Sequence, residues 1–194
     1  MVLQKSDPNS IELCAAALMR SEVIIIPTDT VYGFSGIVPE SEERIRSIKG
    51  RDEAKPFIQL IADPADFALY GSSPIPPEIA ALLPGALTLI VKSAPGFSAG
   101  TSINALETTA FRCPDDDWLR SLIRLCGKPL YSTSVNRSGF PVLSDVTIME
   151  KEFAKDVFYI VDGGKQKEEL PSTIVDLSGK EPKVIRQGAV RIDL

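Results

Sequence analysis

The 194-residue chain contains no histidine. That absence removes imidazole-activated serine or cysteine nucleophiles, histidine general bases and histidine-ligated metals from the chemistry open to it. Cysteine is scarce: Cys14, Cys113 and Cys126 are odd in number and show no C-x-x-C spacing, which argues against a disulfide framework and a four-cysteine zinc site. Cys14 and Cys126 fall on apolar faces of predicted helices, so the thiols read as buried packing groups in a reducing compartment. Long apolar runs are absent too. The stretches at 23–26 and 87–91 are too short to span a bilayer, and no charged segment followed by an apolar core opens the sequence. The expectation is a soluble cytoplasmic protein with no membrane partner. Neither G-x-x-x-x-G-K-[ST] nor G-x-G-x-x-G occurs, so the common nucleotide-binding folds lose support.

What is present is 44% hydrophobic and 24% charged, with a net charge of -5. Such a chain fits one globular domain over 1–194 with a sizeable core. Against the acidic balance, KGRDEAKP at 49–56 sets three cations, Lys49, Arg51 and Lys55, among seven residues. An acidic protein that gathers positive charge beside a glycine and a proline, just after a helix, is equipped to pocket a polyanion such as a nucleoside triphosphate. The alternative is a solvated helix end whose charges are balanced by Asp52 and Glu53.

Helices and strands interleave along the sequence. Asp7-Pro8 starts a helix that places Ile11, Cys14, Ala15, Leu18 and Met19 inward and ends near Ser21. The β-branched run 23–26, stopped by Pro27, predicts a central strand covered on both faces. Ser41 caps a helix with Ile45 and Ile48 inward, ending at Lys49-Gly50. Residues 57–62 form a strand, Pro76-Pro77 opens a helix to Leu83, and Pro84-Gly85 breaks it before a strand at 87–91. Residues 109–112 are a strand. Pro114 with three aspartates starts a helix carrying Trp118, Leu122, Ile123 and Cys126 inward, closed by Gly127. A strand at 130–133, a helix at 145–154 and strands at 157–161, 172–177 and 183–186 complete the pattern, with surface loops at 93–107 and 162–171. The sum is a twisted, mixed α/β sheet with helices packed on it, and ligands belong in the polar loops leaving its strands.

Four segments besides 49–56 carry polar chemistry. IPTDTVYG at 26–33 packs hydroxyls, a carboxylate and a phenol into a loop, although a local turn in which Thr28 or Asp29 bonds the backbone would use the same residues. STSVNRSG at 132–139 offers small donors and acceptors, an amide and a glycine suited to close approach of a phosphate or ribose, or else a helix-capping loop. TTAFR at 108–112 and VIRQG at 184–188 each place a guanidinium at a strand end, where a lone arginine is more often a surface charge.

Taken in order, IPTDTVYG, KGRDEAKPF, PGALTLIV, FRCP, STSVNRSG, STIVD and VIRQG resemble the YrdC-like family over residues 11–188. The resemblance implies a YrdC-like α/β (α+β) fold with a concave, positively charged groove, and the activity of a threonylcarbamoyl-AMP synthase. Such an enzyme joins L-threonine, bicarbonate and ATP, releases pyrophosphate, and supplies a downstream threonylcarbamoyl transferase complex that modifies adenosine 37 of tRNA. No protein nucleophile is needed, which suits a histidine-free chain. Carried over by motif, Lys49, Arg51 and Lys55 clamp the phosphates of ATP and Arg186 closes on the nucleotide. Ser134 and Asn136 contact ATP and the Mg2+ it carries, the protein itself supplying no metal site. Thr108 and Val142 complete the ATP set, and Thr28 and Arg112, with Tyr32, Ser132 and Ser172, hold threonine. The sequence departs from the family where Asp52 follows Arg51 in place of a proline, and where Asp115-Asp116 replace a histidine-proline pair. A chain ending at Leu194 is also expected to lack the extra C-terminal domain of longer relatives. The rivals are a paralog that binds tRNA or double-stranded RNA without synthesis, and a carbamoyl-transfer module. A net charge of -5 argues against a broad RNA-binding stripe.

Overall fold

The computed structural model describes residues 1–50, 56–97, 108–165 and 170–193. In chain order the elements are β1 (Val2–Gln4), α1 (Ser10–Leu18), β2 (Ile24–Ile26), β3 (Gly33–Ile37), α2 (Glu42–Lys49), β4 (Ile58–Leu60), a 3-10 turn (Pro64–Asp66) running into α3 (Phe67–Tyr70), α4 (Pro77–Ala80), β5 (Leu87–Lys92), β6 (Thr108–Arg112), α5 (Asp117–Cys126), β7 (Leu130–Ser134), α6 (Val146–Phe153), β8 (Ile160–Asp162), β9 (Thr173–Asp176) and β10 (Lys183–Arg186). The strands join in one mixed sheet, ordered β1-β8-β2-β3-β7-β4-β6-β5-β9-β10. The expected mixed α/β architecture is therefore present. No helix among the described residues is long and apolar enough to cross a membrane.

The strongest local signals became the clearest elements. Asp116 caps α5 by accepting from Leu119 N at 3.0 Å, and Gly127 closes it at φ 67°, a left-handed conformation that costs glycine little. Leu119, Leu122, Ile123 and Cys126 then bury one stripe. In β2, Ile24 and Ile26 join a core with α1 and α5, while Ile25, and Val23 just before the strand, join a second core with α2 and α6 on the other face. Continuous apolarity meant two-sided cover, as predicted.

Several expectations need correction. α1 begins at Ser10 rather than Pro8, because Asp7 Oδ2 is engaged with Gln4 N and the chain turns there before the helix starts. It ends at Leu18, so Met19 is exposed. Ser41 precedes α2 without capping it: its hydroxyl accepts from Ile37 N and donates to Ser21 O. The helix expected at 76–83 is only Pro77–Ala80. β1, β3 and the turn with α3 at 64–70 escaped the pattern reading. β3 is GFSGI, whose glycines and serine have low strand propensity. It forms because neighbours need it small: a Cβ on Gly36 would come within 2.4 Å of Ser41 Cβ.

Alternation along the strands divides one face of the sheet into two halves. Ile37, Leu130 and Leu60 lie side by side on β3, β7 and β4, and α1 and α5 cover them. Two and four residues along the same strands, the same face presents Ser35, Gly33, Ser132, Ser134 and Ile58. It continues across Ala110 and Arg112 on β6, Thr88 and Ile90 on β5, and Ile174 on β9. The opposite face is packed under α2 and α6 at β3 and β7, and under α3 and α4 at β5, β6 and β9.

Candidate active site

The second half of that face floors a cleft of about 710 Å³. Its floor and walls bring together Thr28, Tyr32, Arg112, Ser132, Ser134, Val142, Ser172 and Arg186, residues that the sequence spreads from 28 to 186. Three lining side chains are cationic, Arg112, Arg186 and Lys165, and none of the described lining residues is acidic. Apolar area comes from Phe57, Ile58, Ile90, Ala110, Leu143 and Ile174.

One wall is built around Arg112, whose side chain is 6% exposed. Its Nη2 donates to Asp29 Oδ1 at 2.5 Å, Nη1 to Thr30 Oγ1 at 2.7 Å and Nε to Gly85 O at 3.1 Å. Asp29 Oδ2 also accepts from Asp115 N. Thr28 Oγ1 lies 3.0 Å from Thr30 Oγ1, donates to Val31 O and accepts from Thr30 N. Since Thr28 spends its proton on Val31 O, the hydroxyls run in one direction: Arg112 to Thr30, Thr30 to Thr28, Thr28 to Val31. The 26–33 loop is therefore a local hydroxyl turn that also forms a wall of the cleft. Burial pushes the Arg112 pKa down, against the pull of Asp29 upward.

The facing wall comes from β9 and β10. Arg186 donates from Nε and Nη2 to Ser172 O, at 3.2 and 2.8 Å, and Ser172 Oγ lies 2.7 Å from Thr88 Oγ1. The β9–β10 register shifts between Val184 and Arg186. Val184 opposes Val175 on the packed face, so a regular ladder would send Arg186 to that face as well; the bulge brings it opposite Ile174 and onto the cleft. Burial lowers the Arg186 pKa, and the charge of Arg112 lowers it further. An anion seated beside Arg186 offsets that repulsion.

Not every predicted residue reaches the cleft. Arg51 and Lys55 lie outside the described residues. Thr108 sits on β6, off the lining. Lys49 and Asn136 are together but also off the lining: Lys49 Nζ donates to Ser134 O, Asn136 O and Asn136 Oδ1 at 2.5, 3.1 and 2.8 Å. Tyr32 is among the cleft's lining residues and packs in the core with α2 and α6, while its hydroxyl donates to Gly164 O and accepts from Gly163 N. That bond roots the loop carrying Lys165, a lining cation that lay in a segment read only as surface. Asn136 Oδ1 already accepts from Lys49 and from Ser134 Oγ, and no group of three or more His, Cys, Asp or Glu among the described residues could hold an ion. These residues do not fit a divalent cation of their own at Ser134 and Asn136.

Comparison with known proteins agrees with this architecture. Residues 16–188 match the Sua5/YciO/YrdC family, described as Telomere recombination. The threonylcarbamoyl-AMP synthase of Bacillus subtilis is 32% identical, covering 97% of this chain and 56% of its own length. That of Pseudoalteromonas translucida is 30% identical, covering 90% of this chain and 97% of its own. P. abyssi Sua5, solved complexed with L-threonine, superposes with a TM-score of 0.82 at 29% identity, covering 92% of this chain and 54% of that one. The chain thus spans about half the length of some relatives and nearly all of another.

Proposed function

Because the chain belongs to the Sua5/YciO/YrdC family, we propose that it joins L-threonine, bicarbonate and ATP into threonylcarbamoyl-AMP and pyrophosphate. The observation that carries this reading is the cleft itself, which sets three cations and no described carboxylate among hydroxyls in a chain of net charge -5. Threonine's amine captures the one-carbon unit of bicarbonate as a carbamate, with loss of water. A carbamate oxygen then attacks the α-phosphorus of ATP, and the bond to the β-phosphate oxygen breaks to release pyrophosphate. The substrate is the nucleophile. Burial raises the three thiols, Cys14 to about 12 and Cys113 and Cys126 to about 11, so no cysteine competes for that role near neutral pH.

The work left to the protein is alignment and neutralisation of a strongly anionic transition state. Arg112, pre-set by Asp29, Thr30 and Gly85, receives the threonine carboxylate, with Thr28, Tyr32, Ser132 and Ser172 around it. Ser134, Val142 and Arg186 hold ATP, joined by Arg51 and Lys55 from the chain that leaves α2. The product is a mixed anhydride that water destroys, so a tRNA-modifying threonylcarbamoyl transferase complex in the same cytoplasmic compartment consumes it. Pyrophosphate release from ATP tests the reaction: it should require both L-threonine and bicarbonate. Release that persists without threonine overturns the assignment.

A further inference from the structure

Among the described residues near the cleft, Lys49 is a fully engaged cation. It is 3% exposed, and an ammonium has three N–H donors, here matched by three oxygens: the carbonyls of Ser134 and Asn136 and the amide oxygen of Asn136. The grip is mutual. Ser138 N donates to Lys49 O at 2.8 Å, and Arg137 Nη1 donates to Ile48 O at 2.7 Å, so the loop satisfies carbonyls that the C-terminal end of α2 leaves open. Asn136 ties the loop further, accepting from Ser134 Oγ and donating to Phe140 O at 2.7 Å. Arg137 is in turn held by Asp156 on the far side.

From this geometry we infer that Lys49 is a positioning residue, which clasps the end of α2 to loop 134–140 and thereby fixes Ser134 at the cleft. This rests on the proposed function, because Ser134 is assigned there to ATP. Contact with a phosphate would require Lys49 to give up one of its three oxygens. Its charge instead holds the carbonyls of Ser134 and Asn136, and the Ser134 hydroxyl donates to the same Asn136 amide oxygen that Lys49 holds. Gly50, at φ 59°, ends α2 at the clasp.

The test is a double-mutant cycle with Lys49→Met and Asn136→Ala, read as kcat, as KM for ATP and for threonine, and as ATP affinity by calorimetry over a salt series. Each single variant should lower kcat/KM for ATP about a hundredfold, the scale of a displaced catalytic wall, and leave KM for threonine within about twofold. The double variant should be no worse than the poorer single one, because both break the same clasp. The salt sensitivity of ATP affinity should match wild type in Lys49→Met, since no phosphate contact is removed. Additive losses, or a flattened salt dependence in Lys49→Met, overturn the inference. If Lys49→Met does not fold, Asn136→Ala alone decides: wild-type ATP affinity and kcat overturn it, and a loss confined to ATP supports it. Wild-type protein that binds no ATP at all defeats the proposed function instead, which separates the two failures.

Discussion

Two halves of one sheet face, built on the same strands, have opposite fates. Where β3, β7 and β4 present Ile37, Leu130 and Leu60, helices α1 and α5 close over them and the face becomes core. Two to four residues further along, Gly33, Ser35, Ser132 and Ser134 stand in the same rows, and the face opens as the cleft. The strand backbone does not change between the halves; side-chain size and polarity do. Apolar rows recruit a helical cover through the hydrophobic effect, whereas hydroxyls and glycine bury too little apolar area to hold one. Arg112, opposite Leu60 on β4, stands on the border and turns a packing surface into a binding surface.

The border residue should break the comparison most severely. Arg112→Ala leaves Asp29 partly buried against Asp115 N with its ion partner gone, and removing one member of a buried pair costs about 3–5 kcal/mol. It also removes the group assigned to the threonine carboxylate, so synthesis should fall by about a hundredfold or more even in the fraction that stays folded. Thermal melting and pyrophosphate release measure the two effects separately. Arg112→Lys restores charge but not the fork, and recovery of full activity by that variant would show that geometry is unimportant.

The next effect is a crossed pair. Leu130→Ala, in the closed half, should lose about 2–5 kcal/mol of stability through the cavity it leaves, with kcat near wild type once folded. Ser132→Ala, two residues along the same strand, should change stability by less than about 0.5 kcal/mol, and cut activity about tenfold by removing one hydrogen bond to a charged ligand. If both variants lose stability and activity in parallel, the two halves are not functionally distinct.

Much of the closed half could be read from the sequence, because its signals are local. The aspartate cap, apolar stripe and terminal glycine of α5 lie within a dozen residues, and 24–26 is apolar throughout. The open half was legible as chemistry rather than as structure: the hydroxyls and arginines stood out, but not the strand that carries Gly33. β3 depends on contacts with Ser41 and Ser132 that no short-range pattern encodes. The direction of Arg186 hangs on a bulge, and that of Lys49 on carbonyls 85 and 87 residues away. Lys165 is placed by a phenol more than a hundred residues earlier in the chain, so nothing near it in sequence marked it.

The smallest effect concerns how the closed half is fastened at its rim. Asp63, at the end of the β4 segment, accepts from Arg124 and Arg120 of α5, and these bonds pull its pKa from the ordinary 3.8 down to about 2. A carboxyl whose folded value lies below its unfolded one contributes fully above the unfolded value, and the contribution fades as pH falls from about 4 toward 2. The group is largely solvated, so the contribution is of the order of an exposed ion pair, about 0.2–1 kcal/mol. Asp63→Asn should therefore lower the melting temperature slightly at pH 6, converge with wild type near pH 2, and leave threonine-dependent pyrophosphate release unchanged, because Asp63 is not among the residues lining the cleft. A melting difference that persists at pH 2 would place the effect in the capping of the 3-10 turn, where Asp63 also acts, rather than in its charge.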